Sequence, residues 1–292
     1  MNSKNYRYLP LLLASCTLLP TLKADVLGYW SFEDGELLTD NTGAADLTED
    51  ADGGSVSAYE LPASGAGSAF PTTIPLTGAT NSQAISFTSD IRLRPGNVRD
   101  SNFNTGRTAT FETFLNASSV PGDGQVGLFG LWGSSSQYRQ MKVSIIDGFL
   151  SAGANYGNTG ASGSSQLVGS STLSVAANVD YYAAAVFTGN ATGDVVFYLQ
   201  DLTNSGSLQS QTISLDATGD ALGDFNNATN NYRYAMGTPL STDYFNGIMD
   251  EVRVANHALS QSELLVSVPE PANMALLFGS VASLMLARRR RR

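Results

Sequence analysis

Between residues 26 and 254 the chain is a succession of short segments that alternate polar and apolar residues or are rich in β-branched and aromatic ones. Clusters of Gly, Ser, Thr, Asn and Asp, which are typical of turns, separate these segments, and no amphipathic helical pattern exceeds two turns. Eleven segments are predicted to be strands: 26–32, 83–88, 108–115, 125–132, 139–146, 149–154, 180–188, 194–202, 209–215, 231–236 and 245–254. This pattern predicts an all-β fold, an antiparallel two-sheet jelly-roll sandwich, rather than a parallel sheet.

Two local signals add detail to this prediction. Asp147-Gly148 separates two of the predicted strands, and Asp-Gly between alternating segments is a strong signal for a β-hairpin. Ser260 is followed three residues later by Glu263, the spacing of a capping box, which predicts a short helical turn at 260–266.

Four segments resemble the LamG-like, concanavalin A-type jelly rolls. VLGYWSFEDG at 26–35 is similar to the opening strand of that family, and AISF at 84–87 to its second strand. TATFETFLNASS at 108–119 is similar to a later strand, and FNGIMDEVRVANHALSQSELL at 245–265 resembles the closing strand and the turn after it. The resemblance implies one LamG-like domain over residues 25–266, although residues 36–80 match it poorly.

The first 24 residues have the pattern of a signal peptide. Lys4 and Arg7 precede an apolar stretch at 9–19, which is too short to span a bilayer, and cleavage by signal peptidase is expected after Ala24. An alternative is lipidation at Cys16, because Leu-Ala-Ser-Cys at 13–16 resembles a bacterial lipobox. Cys16 is the only cysteine of the chain, so cleavage after Ala24 leaves a protein without disulfides.

The last 26 residues, 267–292, carry a second targeting pattern. Pro269, Glu270 and Pro271 precede a short apolar stretch at 272–287, where a span usually needs about 20 residues. A cluster of five arginines, which would remain on the cytoplasmic side, follows: Arg288, Arg289, Arg290, Arg291 and Arg292. This order resembles the PEP-CTERM sorting signal. The resemblance implies that an exosortase, a membrane cysteine protease, acts at the Pro-Glu-Pro site and releases the protein. A simple tail anchor is the alternative.

The charge of the predicted domain limits its partners. Residues 25–267 contain 8 Lys and Arg against 25 Asp and Glu, a formal net charge of −17. A surface this acidic argues against nucleic acid and anionic lipid as partners, so contact with the membrane is expected only through the C-terminal segment before processing. The same acidity provides oxygen ligands for calcium.

The residues give no reason to predict an enzyme. Glycoside hydrolases on this fold need two carboxylates across a cleft. The nearest acidic groups, Glu33, Asp34 and Glu36 at a strand end and the pair Asp250 and Glu251 in the closing strand, fit structural roles better. His257 is the only histidine, which leaves no Ser-His-Asp arrangement and no ordinary zinc site. No catalytic residue is therefore predicted.

A calcium site is one hypothesis for Asp250. Strict alternation along 248–254 places Asp250 in an apolar row with Val252 and Val254, and a buried carboxylate must be hydrogen-bonded, paired or metal-bound. Hydrogen bonds from backbone N–H groups or an arginine are the first interpretation. Concanavalin-type sandwiches often hold calcium at an edge, and that resemblance implies calcium at Asp250 with Glu33 or Asp34. Glu251 and Arg253 are predicted to form a surface pair on the other face.

Ligand contacts are predicted in two loops. Sugars stack on exposed aromatic rings and bond to amide side chains, and four loop residues offer such groups: Tyr138, Asn155, Tyr156 and Asn158. Partly buried loop anchors are the alternative for the two tyrosines. The larger aromatic residues Trp30, Phe32, Phe111 and Trp132 are predicted to lie in the core.

Together these patterns predict an exported protein of the cell surface or extracellular matrix. We expect its jelly roll to bind carbohydrate, such as an extracellular polysaccharide, or another matrix component without catalysis. A purely structural matrix protein is the second hypothesis. A glycoside hydrolase or lyase on the same fold is the third.

Overall fold

The protein is described from a computed structural model, which covers most of the predicted domain. The described residues are 26–33, 37–42, 46–51, 55–61, 68–88, 91–95, 108–132, 139–155, 166–190, 192–215, 235–238 and 243–267. The predicted signal peptide and the sorting signal from residue 268 onward lie outside them. None of the helices in the described part of the chain is long and apolar enough to cross a membrane.

The described residues form strands almost throughout, with two short 3₁₀ turns at Gln261–Glu263 and Leu265–Ser267. The strands are β1 (Val26–Trp30), β2 (Leu47–Ala51), β3 (Val56–Glu60), β4 (Gln83–Phe87), β5 (Ile91–Pro95), β6 (Thr108–Ala117), β7 (Gln125–Trp132), β8 (Arg139–Ile146), β9 (Phe149–Asn155), β10 (Gln166–Ser174), β11 (Asp180–Thr188), β12 (Asp194–Asp201), β13 (Gln209–Ser214), β14 (Ala235–Met236) and β15 (Gly247–Ala255).

The strands form two antiparallel sheets. The first sheet has eight strands in the order β13-β12-β11-β6-β15-β4-β3, with β1 also paired to β15. One side of β15 pairs with β6, and the other side pairs first with β4 and then with β1. The first and last strands of the domain are therefore neighbours. The second sheet has seven strands in the order β10-β9-β8-β7-β14-β5-β2.

The space between the two sheets holds the main hydrophobic core. Aromatic side chains from both sheets meet there, and Phe111 of β6 stacks on Phe129 of β7 with ring centroids 5.1 Å apart. Trp30 and Phe32 are almost completely buried in the same cluster. At one side of the sandwich the edge strands are linked, because the Thr172 N–H donates to the Gln211 side chain at 2.6 Å. Stacked ring pairs of this kind are a favoured arrangement of aromatic side chains in a core.

The two-sheet antiparallel prediction is confirmed, and each of the eleven predicted strands overlaps an observed one. The Asp147-Gly148 hairpin is confirmed, with both residues at positive φ as the tight turn requires. The helical turn is also present, and the Ser260 N–H donates to the Glu263 carboxylate at 2.8 Å. Trp30, Phe32 and Phe111 lie in the core as predicted, whereas the Trp132 side chain lies outside the described part. Strands β2, β3, β5 and β10 were not predicted.

Gly247 should be the most sensitive glycine of the first sheet. It lies between β4 and β6 at φ 150°, and a Cβ atom there would be 2.1 Å from the Asn116 carbonyl oxygen. We expect Gly247→Ala to lower the free energy of unfolding by more than about 3 kcal/mol, because backbone would have to move.

The matched control for this prediction is Gly122→Ala, because nothing lies within 4 Å of a Cβ atom at Gly122. That change should alter stability by less than about 1 kcal/mol. Urea denaturation of residues 25–267 measures both variants. Equal midpoints for the two variants would show that β15 is not packed as described.

Candidate functional site

The outer faces of the two sheets differ in chemistry. The outer face of the eight-stranded sheet is covered by a second hydrophobic cluster that includes Tyr29, Phe114 and Tyr182 from the strands. Phe70 and Ile74 cover it from one segment, and Leu259, Leu264 and Leu265 cover it from the residues after β15. This face is therefore a buried layer, and polar groups within it must find partners inside the protein.

A β-bulge in β15 brings charged side chains into that layer. The register with β6 shifts between Asp250 and Arg253, and Glu251 at the bulge has φ 51°. Val252 and Val254 consequently join the main core, while the prediction that Asp250 shares their face is wrong. The predicted surface pair of Glu251 and Arg253 is also wrong, because both residues are completely buried. Strict alternation fails because a bulge adds one residue to the strand.

Arg253 forms a buried ion pair with Glu112 of β6, and neither side chain is exposed. The Arg253 Nε donates to Glu112 Oε1 at 2.5 Å. Glu112 Oε2 also accepts from the Tyr182 hydroxyl at 2.5 Å and from the Leu265 N–H at 2.7 Å. Burial, together with the negative charge of Glu112, raises the pKa of Tyr182, so this phenol stays a donor. These contacts connect three strands, β6, β11 and β15, to the turn that follows β15.

Asp250 and Glu251 form a second buried polar group beside this pair. Asp250 accepts from the Asn81 side chain at 2.7 Å and from the Glu251 N–H at 2.9 Å. The Tyr29 hydroxyl donates to Glu251 Oε2. Backbone and side-chain donors therefore satisfy Asp250, which agrees with the first interpretation of its burial. Two buried acceptor atoms of the group, Glu251 Oε1 and Asn81 Oδ1, have no hydrogen-bond partner.

The electrostatics of this group favour its protonated forms. Burial raises the pKa of Asp250, and the charge of Glu33 adds to the effect against the hydrogen bonds from Asn81 and Glu251. Burial also raises the pKa of Glu251, with the charge of Asp250 as the next cause. Burial and the charge of Glu251 raise the pKa of Tyr29. The group therefore contains carboxyl groups that no nearby positive charge neutralises, because Arg253 is already paired with Glu112.

The residues fit a calcium ion only in part. Glu33 is engaged by protein donors, since its carboxylate accepts from the N–H and the hydroxyl of Ser82 at 2.9 and 2.7 Å. Within the described ranges no group of three or more His, Cys, Asp or Glu side chains is arranged to hold a metal ion. Asp34 lies outside them. A calcium ion here would need the unpartnered oxygens of Glu251 and Asn81 beside Asp250.

The outward side chains of β8 and β9 in the seven-stranded sheet are mostly small or polar, and three of them, Lys142, Ser144 and Ser151, are at most 4% exposed. Core residues of β8 and β9 alternate with outward ones, so that Lys142 pairs with Gly153, Ser144 with Ser151, and Ile146 with Phe149. The row through Ile146 continues to Gln125 on β7. This face therefore differs from the apolar outer face of the first sheet.

A hydrogen-bonded polar chain lies along this second face. The Lys142 ammonium donates to the Gln125 side-chain oxygen at 2.5 Å, and the Gln125 amide donates to Asp243 at 2.7 Å. Lys142 and Gln125 lie in rows four residues apart, roughly 13 Å along a strand, so their side chains extend toward each other across the face. Amide and carboxylate groups ordered in this way are the usual hydrogen-bonding partners of sugar hydroxyls.

An exposed aromatic ring stands at the end of the same row. Phe149 is 38% exposed. Within the described ranges, the other exposed large hydrophobic residues are Val168, at 47%, and Tyr59, at 37%. Phe149 is two strands from Gln125, about 10 Å away. Sequence reasoning missed Phe149 because an aromatic residue opening a strand is usually core. Its place directly after the Asp-Gly turn is the signal that could have identified it.

Of the predicted ligand residues only the backbone of Asn155 is described, and it lies at the opposite end of this sheet. Asn155 ends β9, in register with Gln166, and β7 and β8 are paired there through Trp132 and Arg139. The connections after β7 and β9 thus leave the same end of the sheet. Tyr138, Tyr156, Asn158 and the side chain of Asn155 lie outside the described residues, so their predicted role stays a prediction.

No protein-family profile and no curated protein matches the sequence. Solved structures do share the fold. Domain 4 of AbnA, a GH43 extracellular arabinanase from Geobacillus stearothermophilus in complex with arabinotriose, has a TM-score of 0.50 at 14% identity, covering 84% of this chain and 98% of that one. The binding domain of Paraclostridial Mosquitocidal Protein 1 has a TM-score of 0.50 at 13% identity, over 83% and 51%. The chain is therefore a β-sandwich, and it spans about half of the second structure.

The raised pKa values give a test of the buried acidic group. A carboxyl with a raised pKa binds more protons in the folded state than in the unfolded state. Its favourable contribution to stability is therefore complete below about 4.3, the pKa of an unfolded glutamate, and is lost as pH rises through the higher pKa of the folded state. We expect Glu251→Gln to melt a few degrees higher than the original protein at pH 8 in EDTA, and equally near pH 4. Thermal melting across this range measures the difference.

Glu49→Gln is the control for this experiment, because Glu49 is an exposed carboxylate on an edge strand. It should leave the melting curve unchanged at every pH. If Glu251→Gln lowers the melting temperature at pH 8 in EDTA, the carboxylate of Glu251 stabilises the folded state in its charged form, contrary to this account.

Proposed function

We propose that this protein is an exported, exosortase-processed component of the cell surface or extracellular matrix, and that its LamG-like jelly roll binds carbohydrate without catalysis. The observation that carries the binding role is the outer face of the seven-stranded sheet. It places the exposed ring of Phe149 in one row with Gln125, which is hydrogen-bonded to Lys142 and Asp243. An exposed ring beside ordered polar groups suits a sugar, whose apolar face stacks while its hydroxyls bond.

The fold likeness supports the same proposal. The domain of the arabinanase shares the sandwich over nearly its whole length, and its structure contains arabinotriose. On the second sheet, the groups that a ligand could reach are the exposed ring of Phe149 and the partly exposed Gln125 and Asp243, because Lys142, Ser144 and Ser151 are buried. We also keep Tyr138, Asn155, Tyr156 and Asn158 as proposed ligand contacts on the grounds of their sequence pattern.

Export and sorting are supported by the sequence patterns at the two ends. We propose cleavage by signal peptidase after Ala24 and processing by an exosortase at Pro269-Glu270-Pro271. The apolar stretch 272–287 holds the protein at the membrane until then, and the arginines at 288–292 remain in the cytoplasm. The acidic domain then stays in solution outside the cell or joins the polysaccharide matrix.

The binding role is tested by affinity electrophoresis of residues 25–267 in gels that contain arabinan, xylan, hydroxyethyl cellulose or alginate. We expect retardation by at least one of these polysaccharides. Phe149→Ala should weaken it about tenfold, because an aromatic contact contributes ~0.5–1.5 kcal/mol beyond the area that it buries. Tyr59→Ala is the matched control, since Tyr59 is an aromatic residue of nearly equal exposure on β3 of the other sheet.

The outcomes of this assay separate the three hypotheses. Equal retardation of the Phe149 and Tyr59 variants would remove the Phe149 surface from the proposal. A protein that is not retarded in any gel favours a purely structural matrix role. Release of reducing or unsaturated sugar from any of the polysaccharides would show a hydrolase or lyase.

We also propose that calcium binds in the buried acidic group, held by Asp250, Glu251 and the Asn81 side-chain oxygen, with Glu33 or Asp34 nearby. The support is the pair of unpartnered acceptor oxygens beside carboxylates of raised pKa. Calcium would neutralise the charge of these carboxylates and stabilise the conformation of the bulge in β15.

Calcium should raise the melting temperature of the original protein by several degrees over EDTA, because a ligand that binds only the folded state stabilises it. Asp250→Asn should remove this difference, whereas the exposed-site variant Glu49→Gln should keep it. A melting temperature that is the same in calcium and in EDTA would leave the protein-donor interpretation of Asp250 standing alone.

A further inference from the structure

The residues after β15 form a C-terminal turn, residues 256–267, that is fixed to the outer face of the first sheet. Leu259, Leu264 and Leu265 are at most 4% exposed in the second hydrophobic cluster. The Thr110 hydroxyl donates to the His257 carbonyl at 2.8 Å and accepts from the Leu259 N–H at 3.0 Å. This segment is therefore packed and hydrogen-bonded as part of the domain rather than as a linker.

The buried ion pair holds the end of this turn by its backbone. The Arg253 Nη2 donates to the Glu263 carbonyl at 2.6 Å, and the Leu265 N–H donates to Glu112 Oε2 at 2.7 Å. We name this set of contacts the clamp: the Glu112–Arg253 pair with the Glu263 carbonyl and the Leu265 N–H. Charge-assisted hydrogen bonds inside a protein are strong, so the clamp resists peeling of the turn from the sheet.

The clamp lies very close to the proposed sorting motif. Ser267, whose N–H still donates to the Leu264 carbonyl at 2.8 Å, is two residues before Pro269, a reach of at most about 7 Å. A protease binds its substrate as an extended peptide on both sides of the cleaved bond. The residues that would fill the enzyme's cleft before the Pro-Glu-Pro motif are thus the residues of the turn.

We propose that the clamp controls processing: the C-terminal turn must open before exosortase can cut at Pro269-Glu270-Pro271. This inference rests on the proposed sorting function and adds a regulation to it. Local opening of a folded unit precedes cleavage, and the rate then follows the population of the open form. A domain that has not finished folding lacks the clamp and exposes its motif, whereas the finished domain is cut slowly and remains at the membrane longer.

The test is an insertion of about eight Gly and Ser residues between Ser267 and Val268, which adds up to ~26 Å of extended chain and frees the motif from the turn. In an exosortase-bearing host, we expect a pulse-chase blot to show processing about tenfold faster than for the original chain. The same insertion in the exposed turn at Gly122 is the control and should leave the rate unchanged. Equal rates for the Ser267 insertion and the original chain would overturn the clamp proposal.

Two further variants distinguish a failure of the clamp proposal from a failure of the sorting proposal. Leu265→Ala weakens the packing of the turn and should also speed processing, while the insertion decides the matter if this variant does not fold. Glu270→Ala, alone or with the insertion, should stay uncut. If Glu270→Ala is processed like the original chain, the sorting proposal itself is wrong. If it stays uncut while the insertion changes nothing, sorting stands and only the clamp proposal fails.

Discussion

The buried ion pair between Arg253 and Glu112 is the interaction on which the arrangement of this domain depends. It links the last strand, its neighbour β6 and the C-terminal turn, and both of its side chains are completely buried. Removal of one partner from a buried pair typically costs about 3–5 kcal/mol, because the other charge is left without compensation. Tyr182 adds a third contact to Glu112, so the pair is supported from a neighbouring strand as well. The turn therefore belongs to the fold, although it follows the last strand.

Because the C-terminal turn covers the outer face of the first sheet, the two outer faces of the sandwich differ. On one side the turn and the segment around Phe70 form a third layer over the sheet, and the acidic group of Asp250 and Glu251 lies within it. On the other side, the outward side chains of the second sheet are small residues and the hydrogen-bonded chain from Lys142 through Gln125 to Asp243. The groups suited to a ligand on the second side are the exposed Phe149 and the partly exposed Gln125 and Asp243. A binding surface on a rigid sheet needs little reorganisation when its ligand arrives.

The fold could be predicted well from the sequence because its strands repeat a simple pattern between clear turn signals. Prediction failed at β3, where Val56–Glu60 is mostly exposed and shows no buried stripe. It also failed at β15, where one extra residue places Asp250 and Val252 on opposite faces of the sheet. A bulge depends on the partner strand, so no local pattern shows it. The Glu112–Arg253 pair is likewise long-range, since its members are 141 positions apart in the sequence. Phe149 was missed because exposure depends on what lies above a strand.

We expect a ligand to bind at the Phe149 end of the outer face of the second sheet and not on the layer held by the ion pair. Hydrogen–deuterium exchange of residues 25–267, with and without a polysaccharide that retards the protein, tests this most directly. We predict added protection in the hairpin of β8 and β9 and at the start of β7, with no change in residues 256–267. Protection confined to the C-terminal turn and β6, with the β8–β9 hairpin unchanged, would contradict the account.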